Sequence, residues 1–187
     1  MIPVSRIVTS MRYSIRDMQG VNVSDFELIE AINQAASLLY NKLAEDFVNA
    51  GLKKSILVVD ETLQTSLPSD FLGVHRVGMG DEGYASPVTY RPDISGTYRI
   101  VGSTFYAPEG LYGLEYYYIP KRVNSLTDNL DVMPSVSPYV ERVAGYVLAN
   151  DLAGAVQTAA VCSHSLAGNE MSHFNDEGPL NVLGGKL

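Results

Sequence analysis

The four residues Ser24-Asp25-Phe26-Glu27 constrain this chain more than any others. A serine followed three positions later by a glutamate is a capping box. The hydroxyl accepts from the residue-27 amide and the carboxylate accepts from the residue-24 amide, so two donors that a helix start leaves orphaned are satisfied. Behind the box, Leu28, Ile32, Ala35, Ala36, Leu39, Leu43 and Phe47 recur at helical spacing on one face, and Asn49-Ala50-Gly51 gives the stop. The spacing predicts an amphipathic helix over about 25–48, whose stripe needs other elements to cover it. With 187 residues, 46% of them hydrophobic and 18% charged, the chain can build that core as one domain.

Two further helices are expected. Val4, Ile7, Val8, Met11 and Ile15 form a helical stripe over about 4–17, which Met18 to Val23 interrupts. Ser137 as N-cap and Pro138 at the first helical position open a third helix through Val140, Val143, Ala144, Val147 and Leu152, over about 138–166. Ala144, Gly145, Ala149, Ala153, Gly154 and Ala155 keep one side of it small, which lets another backbone approach closely.

Between the helices, about 55–120 reads as β structure. Strands are expected at Ser55 to Val59, Leu63 to Leu67 and Val74 to Val77, with Pro68 to Phe71 as a turn. Thr97 to Val101 and Thr104 to Tyr106 flank Gly102-Ser103 as a two-residue hairpin, and Leu111 to Ile119 makes a tyrosine-rich strand that Pro120 ends. The expected class is α+β: a mainly helical bundle of two N-terminal helices and one long C-terminal helix, carrying an inserted antiparallel β region. One domain spans 1–173, and 174–187 forms an extended tail marked by Gly178, Pro179, Gly184 and Gly185.

The charge excludes some functions. A formal net charge of −8 lacks the Lys/Arg excess that neutralises phosphates or holds a chain to anionic lipid. One cysteine, Cys162, permits no internal disulfide and suits a reducing cytosol. The N-terminus lacks the basic and apolar regions of a signal peptide, and no apolar run is long enough to span a bilayer, so a soluble protein made inside a cell is expected.

Candidate chemistry is sparse. Gly78-Met79-Gly80-Asp81-Glu82-Gly83 has dinucleotide-loop spacing, but its carboxylates repel a pyrophosphate and Pro87 prevents the required helix. His75, His164 and His173 do not have metal-ligand spacing, and Cys162 and His164, two apart on a helix, diverge. The pairs Asp60-Glu61, Asp81-Glu82 and Asp176-Glu177 lie in turns or the tail, where solvated loops explain them. No catalytic residue, cofactor or metal is expected. Twelve tyrosines and no tryptophan, clustered in Tyr112 to Tyr118 without interleaved basic residues, suit a protein interface better than base stacking.

In order along the chain stand Arg12 and Arg16-Asp17, then Ala31-Ile32-Asn33-Gln34-Ala35 in the capped helix, and Leu67-Pro68-Ser69-Asp70-Phe71 before a valine-rich strand. Tyr98 to Pro108, Leu114-Glu115-Tyr116-Tyr117-Tyr118-Ile119-Pro120 and the stretch from Met133-Pro134 to Leu152 follow. In this order over residues 4–155, the chain resembles the head-to-tail adaptor (connector, head-completion) proteins of tailed bacteriophages. The chain departs from that pattern mainly after Leu166.

The resemblance implies a structural virion protein of the neck, made in the bacterial cytoplasm and without enzymatic activity. It implies a homo-oligomeric ring, usually of twelve copies, between the portal and a downstream tail or neck protein. DNA would pass through its channel during ejection without sequence-specific binding, and no membrane is involved. C-terminal tails in that family reach into portal grooves. Partner-interface residues are expected at Tyr116 and Tyr118 in the sheet, and at Phe174, Leu180, Val182, Leu183 and Leu187 in the tail. The competing expectations are another neck or tail-completion protein, such as a tail terminator, and a small-molecule-binding or enzymatic domain with a convergent polar pocket.

Overall fold

The capping box forms in the computed structural model, which describes residues 1–49, 52–79, 83–89, 92 and 95–176, with side chains as far as Gly168. Ser24 Oγ accepts from the Glu27 amide at 3.2 Å, and Glu27 Oε2 accepts from the Ser24 amide at 2.8 Å. Helix α2, Asp25–Glu45, follows, with Leu28, Ile32, Leu39 and Leu43 all but inaccessible. It ends before the expected residue 48. Phe47 takes a left-handed φ of 54° and turns outward, 76% exposed, while Val48 takes the core position and its amide donates to Leu43 O at 3.0 Å.

Helix α1, Val4–Ser14, buries Val4, Ile7, Val8 and Met11. It stops two to three residues short of the expectation because Arg16 is left-handed, with φ 57°. The expected single helix over 138–166 is corrected to two, α3 (Ser137–Leu148) and α4 (Leu152–Asp176). Asn150 is left-handed at φ 55°, a conformation asparagine tolerates, and Asp151 Oδ1 accepts from the Gly154 amide at 2.9 Å as the cap of α4. Ser137 is the first helical residue of α3; Val136 holds the N-cap position without a side-chain cap. At Gly154 it is a side chain and not another backbone that comes close, since a Cβ there would lie 2.5 Å from the Tyr146 ring.

The β region comprises β1 (Ile2–Pro3), β2 (Lys53–Val59), β3 (Gln64–Ser66), β4 (Phe71–Gly78), β5 (Ser86–Pro87), β6 (Thr97–Val101), β7 (Thr104–Tyr106), β8 (Gly110–Tyr118) and β9 (Asn129–Leu130). They form sheets ordered β2-β8-β4 and β3-β7-β6-β5, and the pair β1-β9. Pairing is antiparallel except between β5 and β6. The hairpin around Gly102-Ser103 forms, with Gly102 at φ +58°. The chain is thus α+β, and α2 packs against α1, α3, α4 and strands β4 and β8. One contiguous hydrophobic core runs from the helices into the sheets.

Two expectations about chain ends are corrected or fall outside the described residues. The tail was expected to begin at Phe174, but α4 continues through Asp176. Gly178 and Pro179 disfavour helix only around themselves, and nothing between Asn169 and Asp176 breaks it. Residues 177–187 lie outside the described residues, as do Gly80, Asp81 and Glu82 of the glycine-spaced segment.

Candidate assembly interface

The loop between α1 and α2 carries apolar side chains that a solvated turn does not need. Met18 and Val21 are 58% and 77% exposed, with Tyr13 at 77% on one side and Phe26 at 71% on the other. A loop this apolar would be expected to collapse inward, but a buried carboxylate holds it open. Asp17, 5% exposed, accepts from the amides of Val21 (2.9 Å), Asn22 (3.1 Å) and Val23 (2.9 Å). Arg12 braces the other side, donating to Val23 O at 2.9 Å and to Asp25 Oδ1 at 2.5 Å. Gly20, at φ +67°, passes so close that a Cβ would meet the Arg12 guanidinium at 3.1 Å. The Val23 amide foremost, then those of Val21 and Asn22, with Arg12, hold the Asp17 carboxyl below the usual carboxylate range despite its burial.

Beside this knob lies a groove of about 830 Å³ between α1, α3 and α4. Met11, Ile15, Pro138, Tyr146 and Ala149 give it an apolar lining, Gly145 leaves part of it open, and Glu141 and Arg142 contribute charge. A fixed apolar protrusion next to an apolar groove is the form of a protein contact, with ordering costs met in the free chain.

The expected sheet interface is corrected. Tyr116 and Tyr118 are each 4% exposed and belong to the interior. Strand β8 is central in its sheet, and its alternate residues Tyr112, Leu114, Tyr116 and Tyr118 are all buried. The hydroxyls are satisfied inside: Tyr118 lies 3.2 Å from the Tyr40 hydroxyl, and Tyr116 donates to Asp70 at 3.1 Å. Lys53 ties this cluster together, donating to Asp70 at 2.7 Å and Asp131 at 2.8 Å with its ammonium 3.9 Å from the Tyr118 ring centre. Burial pushes the Tyr118 hydroxyl upward in pKa. This cluster joins α2 to the β region and is structural. Of the tail residues, Phe174 lies on α4, where side chains are not described, and Leu180, Val182, Leu183 and Leu187 lie outside the described residues.

Cys162 is fully buried, and desolvation pushes its thiol up to about 11, so it stays protonated. Ser163 donates to Asp46 at 2.5 Å, while His164 is exposed. His75 meets Tyr117, its Nδ1 3.3 Å from the hydroxyl. Among the described residues no group of three or more His, Cys, Asp or Glu could hold a metal ion, and no helix is long and apolar enough to cross a membrane.

The knob was missed in the sequence although it left a signal there. Met18 and Val21 stand in a segment that breaks a helix, flanked by Arg16-Asp17 and Gly20. Apolar residues in a turn that has its own polar fixing are surplus to the core. No protein-family model and no curated protein sequence matches this chain.

Proposed function

We propose that this chain is a non-enzymatic structural protein of a tailed-phage virion, one subunit of an oligomeric ring in the neck that joins the portal to the tail and lines the channel for DNA ejection. The observation that carries the reading is the α1–α2 knob, apolar, exposed and fixed by buried Asp17, beside an apolar groove on the helices. A cyclic ring uses heterologous contacts, in which one patch of each subunit meets a different patch of the next. Knob and groove offer apolar patches for contacts between subunits, and the four helices would form the bundle around which the ring closes. The order of motifs over residues 4–155, which resembles the head-to-tail adaptors, supplies the position in the virion.

Charge supports the channel role. A subunit with net charge −8 presents a wall that DNA passes without sticking, because few cations are available to displace counterions from its phosphates. The tail beyond α4 docks on the portal in this reading, and a tail or neck protein binds the opposite side of the ring. Electron microscopy of the purified chain, alone and mixed with its portal, tests the proposal. Annular particles seated on the portal are expected in the mixture. Particles that remain single subunits in both samples would overturn it.

A further inference from the structure

The sheet β2-β8-β4 has a second face, turned away from the core. Leu57, Val59, Val77, Leu114 and Tyr116 are buried, so alternation sets on the other side, beyond the Gly73–Tyr117 pair, three further cross-strand rows. The first is Lys54–Glu115–Arg76, the second Ile56–Gly113–Gly78, and the third Val58–Leu111. Ile56, Val58 and Leu111 are 74%, 62% and 66% exposed, which makes an apolar patch on an otherwise ordinary sheet face.

The second row is a hollow. A depression of about 590 Å³ lies there, walled by Ile56 and Tyr84. The fold does not demand its glycines. Neither Gly78 nor Gly113 has a positive φ, and a Cβ built on them finds its nearest neighbours at 3.8 and 3.9 Å, ordinary contact. Glycine inside a strand weakens it and often marks a place where another backbone or a ligand comes close. The third row is the converse, two bulky side chains standing up from the same surface. The ends of the face also differ in charge. Lys54 and Arg76 share the single carboxylate of Glu115, leaving one cation in excess. At the other end β2 runs into exposed Asp60-Glu61, and exposed Glu109 precedes β8.

We propose that this face binds a second copy of the same chain, packed sheet to sheet about a two-fold axis that runs across the strands between the glycine row and the Val58–Leu111 row. A half-turn about that axis sets Leu111 of each copy over Gly113 of the other and Val58 against Ile56. The same half-turn brings Lys54 opposite Asp60 and Glu61 at the end of β2, and on β8 it sets Glu115, whose charge Lys54 and Arg76 already offset, opposite Glu109. Hollow meets knob and cation meets carboxylate twice over, the self-complementarity that an isologous contact requires. Such a contact closes at two copies. It is separate from the subunit-to-subunit contact of the proposed ring and does not depend on it.

Sedimentation of the full chain across a dilution series tests the contact. The wild type is expected to form a dimer that dissociates on dilution. Gly113→Leu fills the hollow, and its Cβ meets nothing closer than ordinary contact, so it should sediment as a monomer with its thermal transition preserved. Lys54→Glu should weaken the dimer, and adding Glu61→Lys should restore it, a recovery that a folding defect would not give. A wild type that stays monomeric throughout, a dimer that Gly113→Leu leaves intact, or a charge reversal that fails to restore pairing would overturn the proposal.

Discussion

Ser24 and Leu39 sit on the same helix and measure different contributions to it. Ser24→Ala removes one acceptor at an exposed helix start and should cost about 1 kcal/mol. Leu39, 1% exposed, leaves a cavity when cut to alanine, so Leu39→Ala should cost about 2–5 kcal/mol. Urea melts of the two variants decide the matter, and a milder Leu39→Ala would mean that the buried face of α2 is wrongly identified. Asp17 poses a different question, because its two oxygens serve three amide donors. An asparagine side chain in its place would keep one acceptor and turn an NH₂ toward those donors, so Asp17→Asn should cost about 1.5–3 kcal/mol, the range for hydrogen bonds to a charged group. Glu115 predicts a pH response. Arg76 and then Lys54 hydrogen-bond its carboxylate and lower it from the usual 4.5 to about 2. A depressed carboxyl stabilises the fold above its unfolded value and loses that contribution as pH falls through the folded one. Thermal midpoints should therefore drop between about pH 4.5 and 2, and Glu115→Gln should flatten that part of the curve. An equal drop in both proteins would remove Glu115 from the account.

Elements with local causes were legible, and those with distant causes were not. The capping box, the apolar stripes of α1 and α2 and the Gly102-Ser103 hairpin each depend on residues a few positions apart. Strand β8 was legible as a strand, but the fate of its tyrosines depends on Tyr40, Asp70 and Lys53, brought in from 78, 46 and 65 positions away along the chain. Alternation also hides Tyr117, which has the opposite parity from Tyr116 and is still 4% exposed because His75 packs edge-on against its ring. The β8 tyrosines therefore build the interior, and exposed apolar surface comes from other residues, Met18, Val21 and Phe26 of the knob among them. The break between α3 and α4 is intermediate. Asn150-Asp151 carries a left-handed residue followed by a cap, a local signal that the run of small residues around it masks. Asp151→Ala should cost about 1 kcal/mol in a denaturant melt if that cap starts α4. A neutral outcome would mean that packing against α3 alone sets the break.

The whole molecule is an acidic body whose distinguishing surfaces are apolar, and its proposed role rests on assembly. Metal content is the simplest check on the expectation that the chain is metal-free and catalytically silent, since stoichiometric zinc in protein purified without added metal would contradict it. The segment after α4 gives the sharper test. Gly178 and Pro179 disfavour further helix, while Leu180, Val182, Leu183 and Leu187 place apolar groups in a stretch too short to bury them by itself. A strand added to a partner's edge, or laid in its groove, would use both properties. From Val143 to Leu187 the only basic residue is Lys186, against Asp151, Glu170, Asp176 and Glu177, which favours a protein partner over DNA. The buried positions of α4 among the described side chains include Ala155, Ala159, Cys162 and Leu166, all well upstream of the segment. A chain ending at Asp176 should therefore keep its thermal transition within the error of calorimetry, because it loses none of those contacts. The same chain should fail to bind the portal and to complete heads. Undiminished portal binding by the shortened chain would show that the segment does not dock.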